Sequence, residues 1–126
     1  MPKITIQPDC GNAPRKLFLK DLIVAWAEGD SDFFTNILPD HITWEVVGSR
    51  NISGKANFLN ELVGHKLWKS RELVIDTIIT HGRDAAVSGR ILAADKSVYS
   101  FCDVFRFKGA GGSTIDQIRT FLVKGE

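Results

Sequence analysis

Asp103 is the residue of this sequence with the most unusual surroundings. It lies in Tyr99-Ser-Phe-Cys-Asp-Val-Phe-Arg-Phe107, whose alternation puts Tyr99, Phe101, Asp103, Phe105 and Phe107 on one side of a strand. Ser100, Cys102, Val104 and Arg106 fall on the other. A carboxyl group left among aromatic rings is desolvated, its pKa rises, and it can hold a proton near neutral pH. Set against a cation it becomes a low-pKa carboxylate, a poor acid but a usable base. The cation on offer is Arg90, in the strand pattern one hairpin earlier. If both point inward, two arrangements compete. One is a buried ion pair that satisfies both groups. In the other both face a ligand, with Arg90 holding a carboxylate or enolate oxygen and Asp103 moving a proton. The alternation leaves open whether the aromatic side faces a pocket or a dimer partner.

The other reactive side chains form no recognisable set. His41, His65 and His81 are far apart and show neither i, i+4 nor His-x-His spacing, so no metal site is expected. His41 and His81 read as surface residues, and His65 suits the carbonyl end of a helix. Cys10 and Cys102 are too few for a disulfide framework; Cys102 reads as a buried inert thiol and Cys10 as a surface residue. Gly109-Ala-Gly-Gly112 joins two strands rather than opening a helix, so it is a hairpin turn and not a phosphate cradle. No cofactor is implied.

The elements that must position Asp103 follow from periodicity. Residues 1–16, with three prolines, read as a loose arm apart from a short edge strand at Ile4–Ile6, and 17–126 as one domain. Leu19, Leu22, Ile23 and Trp26 mark an amphipathic helix over Leu17–Glu28. Asp30 or Ser31 caps a short second helix that stops before Pro39. His41–Val47 alternates as a strand, Gly48–Gly54 is a loop, and a third helix runs from Ser53 or Gly54 to Gly64. Three strand patterns follow, at 72–80, 85–93 and 97–107, and a last one at 114–123. Helices followed by antiparallel hairpins give an α+β fold with the helices on one sheet face.

This order of elements carries a resemblance. The run AEGDSDFFTNILPDHITWEVVGSRNISGKANFLNEL is similar to the front half of the nuclear transport factor two-like superfamily, above all its SnoaL-like and ketosteroid-isomerase-like branches. DVFRFKGAGGSTIDQIRTFLV resembles the closing hairpin of the same group, so the likeness covers roughly residues 17–123. It implies a cone-shaped, curved antiparallel or mixed sheet of cystatin-like type, with about three helices on the concave face enclosing an apolar pocket. It also implies a homodimer packed through the outer sheet face. Asp103 matches the protonated aspartate of the steroid isomerases, a carboxyl kept neutral by an apolar site so that it can donate a hydrogen bond. Their base falls at Val46 and their tyrosine near Leu22, neither of which can serve. The epoxide-hydrolase branch keeps its Arg at Arg90 but meets Leu92 and Thr120 where it needs acids; the cyclases also want an acid at Thr120.

Composition narrows the class further. The chain has 126 residues, and sixteen basic against fifteen acidic side chains leave a net charge of +1 with no block of one sign. That gives no electrostatic basis for binding nucleic acid or an anionic membrane. Without an apolar run of membrane length or a signal segment, a cytoplasmic protein is expected. The expected partner is a small hydrophobic molecule, held by Leu22, Trp26, Trp44, Val46, Tyr99, Phe101 and Thr120, with Asp103 and Arg90 as the catalytic candidates. An isomerase, cyclase or hydro-lyase, a non-catalytic binder and a dimeric interaction domain are the three readings.

Overall fold

A computed structural model describes residues 2–7, 13–65 and 67–125. Cys10 lies outside them. In chain order the elements are β1 (Lys3–Ile6), α1 (Pro14–Glu28), α2 (Ser31–Ile37), β2 (Thr43–Val46), β3 (Arg50–Ser53) and α3 (Lys55–Gly64). The four long strands follow: β4 (Glu72–His81), β5 (Asp84–Leu92), β6 (Val98–Phe107) and β7 (Ile115–Lys124). They form one mixed, curved sheet in the order β1-β4-β5-β6-β7-β2-β3. The β1–β4 and β2–β7 pairs are parallel and the others antiparallel. This is the α+β architecture the periodicity predicts.

The helices cover one sheet face and close the core. α1 buries Leu19, Leu22, Ile23, Ala25, Trp26 and Ala27, and ends at Gly29, whose left-handed φ of 77° suits a residue without a side chain. The Lys69 stem lies where a Gly29 side chain would project. Asp30 then caps α2 by accepting the Phe33 N–H at 3.2 Å.

Lys3–Ile6 forms the short edge strand expected at Ile4–Ile6 and pairs in parallel with β4. Two segments differ from the sequence reading. Within the expected arm 1–16, α1 begins at Pro14 rather than Leu17. Arg15 ties that first turn to two hairpin ends: it donates to the carbonyls of Gly82 at 2.6 Å and Gly112 at 2.6 Å, and stacks 4.0 Å above the Phe107 ring. The expected loop 48–54 instead contains β3, paired antiparallel with β2. Only Ile52 of β3 is buried, so the segment shows no alternation that a sequence reading could use.

Between Ile75 and Thr77 the β4–β5 register shifts, leaving Asp76 as the extra residue of a bulge. Gly89 faces Ile75 at this point, and a Cβ there would collide with the Val74 carbonyl oxygen. The bulge therefore requires glycine. Gly89→Ala is expected to destabilise the fold by about 2 kcal/mol or more, measurable as a lower urea midpoint.

Candidate functional site

The pairing registers set the candidate residues in rows across four strands. One row runs Val46 (β2), Thr120 (β7), Asp103 (β6), Val87 (β5). The row on one side is Trp44, Ile118, Phe105, Ala85, and all four are buried. On the other side come Leu122, Phe101 and Gly89, and beyond them Lys124, Tyr99 and Ile91 at the open ends of the strands. The aromatic side of β6 thus points into the core, and Asp103 sits midway along it.

Asp103 is only 4% exposed. Thr120 Oγ1 donates to its Oδ1 at 2.7 Å, and Trp44 Nε1 donates to Thr120 Oγ1 at 2.9 Å. Burial pushes the Asp103 carboxyl up to about 7, and the Thr120 hydrogen bond opposes part of that rise. The group can hold a proton at neutral pH. None of the described clefts is lined by it.

Arg90 does not join it. Arg90 faces Ser100, three positions from Asp103, and lies on the outer sheet face with a 58% exposed side chain. Its partner is the bulge residue Asp76, at 3.8 Å. The inward Arg90–Asp103 pair is therefore absent: Ala85, Val87, Gly89 and Ile91 take the inner face of β5, and the two-residue period sends Arg90 outward. Cys102 is half-buried on the same outer face rather than in the core, its thiol pKa raised by burial and by the nearby Asp103.

The remaining candidates are spread through an aromatic interior. Leu22, Trp26, Trp44, Phe101 and Thr120 are buried. The Trp26 ring meets Trp44 edge-on at 5.2 Å, Phe34 at 5.9 Å and His65 at 5.8 Å. Trp44 packs on Phe58 at 4.8 Å. These rings pack against one another in the space between helices and sheet where a ligand pocket is expected. Trp26 Nε1 has no hydrogen-bond acceptor among the described residues; an orphan donor of this kind costs about 1–3 kcal/mol. His41, at the surface, meets Asp116 at 2.7 Å. Leu67 N–H donates to His65 Nδ1 at 3.2 Å. Among the described residues no group of three or more His, Cys, Asp or Glu side chains is placed to hold a metal ion.

The open space lies at the mouth of this interior. A cleft of about 670 Å³ runs between the β2–β3 turn, the end of α3 and the open ends of β6 and β7. Its apolar lining includes Val46, Val47, Tyr99 and Leu122; its charged rim is Arg50, Glu61 and Lys124. Arg50 donates to Glu61 Oε1 at 2.6 Å, joining β3 to α3. Val46 and Tyr99 were candidates by sequence. Leu122 and Lys124 were missed, although they continue the inward alternation of Ile118 and Thr120 along β7.

By sequence, no protein-family model and no curated protein matches the chain. Solved structures do. An NTF-2 like protein of unknown function from Burkholderia xenovorans superposes with a TM-score of 0.72 at 15% identity, over 90% of this chain and 89% of that one. A protein with a cystatin-like fold from Silicibacter pomeroyi gives 0.69 at 15% identity, over 87% and 74%. An LEH-like epoxide hydrolase from M. tuberculosis gives 0.66 at 18% identity, over 83% and 79%. The chain has the NTF2-like fold. At these identities the NTF2-like likeness concerns architecture, and activity has to be argued from the site.

The Asp103 environment has a measurable consequence. The unfolded chain loses this proton near 3.8, whereas the folded chain keeps it to about 7. Between these values the folded state binds more protons, so stability falls as pH rises and levels off above about 7. The full difference is on the order of 4 kcal/mol. Urea melts across this range should show that decline, and Asp103→Asn should remove this component. Thr120→Val, which deletes the hydrogen bond favouring the charged form, should extend the decline to higher pH.

Proposed function

We propose that this NTF2-like chain is a non-catalytic binder of a small organic molecule, seated in the mouth cleft and not against Asp103. The observation that carries this reading is the cleft itself: about 670 Å³ with Val46, Tyr99 and Leu122 as apolar lining, within the size range of small-molecule sites. The filled interior supports it, because a ligand that reached Asp103 would have to displace packed aromatic rings. An isomerase, cyclase or hydro-lyase built on Asp103 and Arg90 has weaker support. Its acid is buried and its cation lies on the opposite face of the sheet. General acid–base work needs the proton-moving group within hydrogen-bond reach of the substrate.

The test uses N-phenylnaphthylamine, a neutral apolar dye that brightens when bound. One site per chain is expected. Leu122→Arg, which places a bulky charged side chain in the cleft, should weaken binding about tenfold, equivalent to ~1.4 kcal/mol. Unchanged affinity in that variant, with the fold verified by circular dichroism, would refute the cleft. Asp103→Asn separates the readings: unaltered binding fits a ligand held by the cleft alone, and a comparable loss would return the carboxyl to the ligand.

The outer sheet face supports a second proposal, a homodimer. Ile79 is 58% exposed, and Val104 and Phe121 lie half-buried on neighbouring strands. Ion pairs Arg106–Asp84, Arg119–Glu45 and Arg90–Asp76 stand around them. Apolar side chains ringed by charges suit association. Sedimentation should give a dimer for the wild type and a monomer for Ile79→Lys; a monomeric wild type would end the proposal.

A further inference from the structure

The charges at the cleft rim say more about the ligand, on the assumption that the cleft is a binding site. Three charged side chains line it: Arg50, Glu61 and Lys124. Glu61 is engaged by Arg50 at 2.6 Å, and this pair is locally neutral. Lys124 has no carboxylate within ion-pair distance among the described residues. Lys124 helps to lower the pKa of Asp95, though less than the hydrogen bonds from Ser97 do. Asp95 lies outside the cleft lining and already accepts the Ser97 N–H at 2.9 Å. Among the described residues, Lys124 is thus the carboxylate or ammonium charge of the cleft lining that no ion pair offsets.

Its position matters as much as its sign. Lys124 shares the inward parity of Ile118, Thr120 and Leu122 along β7, so it stands one step outside Leu122 on the same face. In the β6–β7 register it faces Tyr99. A molecule lying on Leu122, Val46 and Tyr99 therefore has its outward end beside the ammonium. Gly64, also in the lining, is the carbonyl end of α3, where the helix dipole disfavours negative charge. Both effects place an anionic group on the Lys124 side. We infer that the ligand is an amphipathic organic anion, an apolar body with one carboxylate or sulfonate-like head, whose head pairs with Lys124.

Two dyes that share a ring system test this. Anilinonaphthalene sulfonate carries an anionic head that N-phenylnaphthylamine lacks. Wild-type protein should prefer the sulfonate about fivefold, as expected of one solvent-accessible ion pair, and the preference should shrink as salt is raised. Lys124→Met should bring the affinity ratio close to one, while Lys124→Arg keeps it above one. Equal affinity for the two dyes in the wild type, or a preference that survives in Lys124→Met, would overturn the anionic head while leaving the cleft standing. Binding of neither dye would remove the cleft as a site, and the inference with it.

Discussion

A carboxyl group in the middle of a dry sheet face constrains this molecule more than any other contact. Asp103 is sustained there by a chain of donation, Trp44 N–H to Thr120 oxygen and Thr120 O–H to Asp103, which crosses from β2 through β7 to β6. The chain answers the main cost of burial, an unsatisfied polar atom, for three side chains together. It also resists displacement of these strands. A slip of β7 by one residue would turn Thr120 to the opposite face and break both hydrogen bonds, and a slip of β6 would turn Asp103 away and break the second. Retaining one titratable group here ties stability to pH, because the apolar surroundings favour the protonated form.

The aromatic side chains explain why the interior is closed. Trp26, Trp44, Phe34 and Phe58 meet in the space between the helices and the sheet, with ring centroids 4.8–6.3 Å apart in successive contacts. Packed rings of this size bury large apolar areas and gain further from edge-to-face geometry. The same packing leaves the Trp26 indole N–H without an acceptor. Apolar burial outweighs one lost hydrogen bond, and the usable space is displaced to the mouth, where strand ends and a helix end diverge.

Much of this was legible in the sequence, and the exceptions have physical causes. The alternation of Tyr99–Phe107 identified Asp103 as the carboxyl facing the aromatic side, and the periodicity of Leu19–Trp26 placed α1. The orientation of Arg90 could have been read as well, since Ala85, Val87, Gly89 and Ile91 already claimed the inner face of β5. β3 had no comparable signal: in Arg-Asn-Ile-Ser only Ile52 is buried, and its strand character comes from pairing with β2. The bulge at Asp76 was equally hidden, because it depends on the absence of a Cβ at Gly89, a partner in another strand. The cleft is a property of where β6, β7, α3 and the β2–β3 turn end in space, which no local pattern encodes.

The position of Asp103 also shows why a matching motif need not carry the matching chemistry. A carboxyl of raised pKa becomes an acid catalyst only if the surroundings that raise the pKa also admit the substrate. Here desolvation comes from side chains that fill the site, with Phe101 and Leu122 lying between the Asp103 row and the open ends of the strands. Val46, on the same row as Asp103, contributes bulk where a base would contribute a proton acceptor. The environment that keeps the carboxyl neutral is therefore the same one that buries it among side chains.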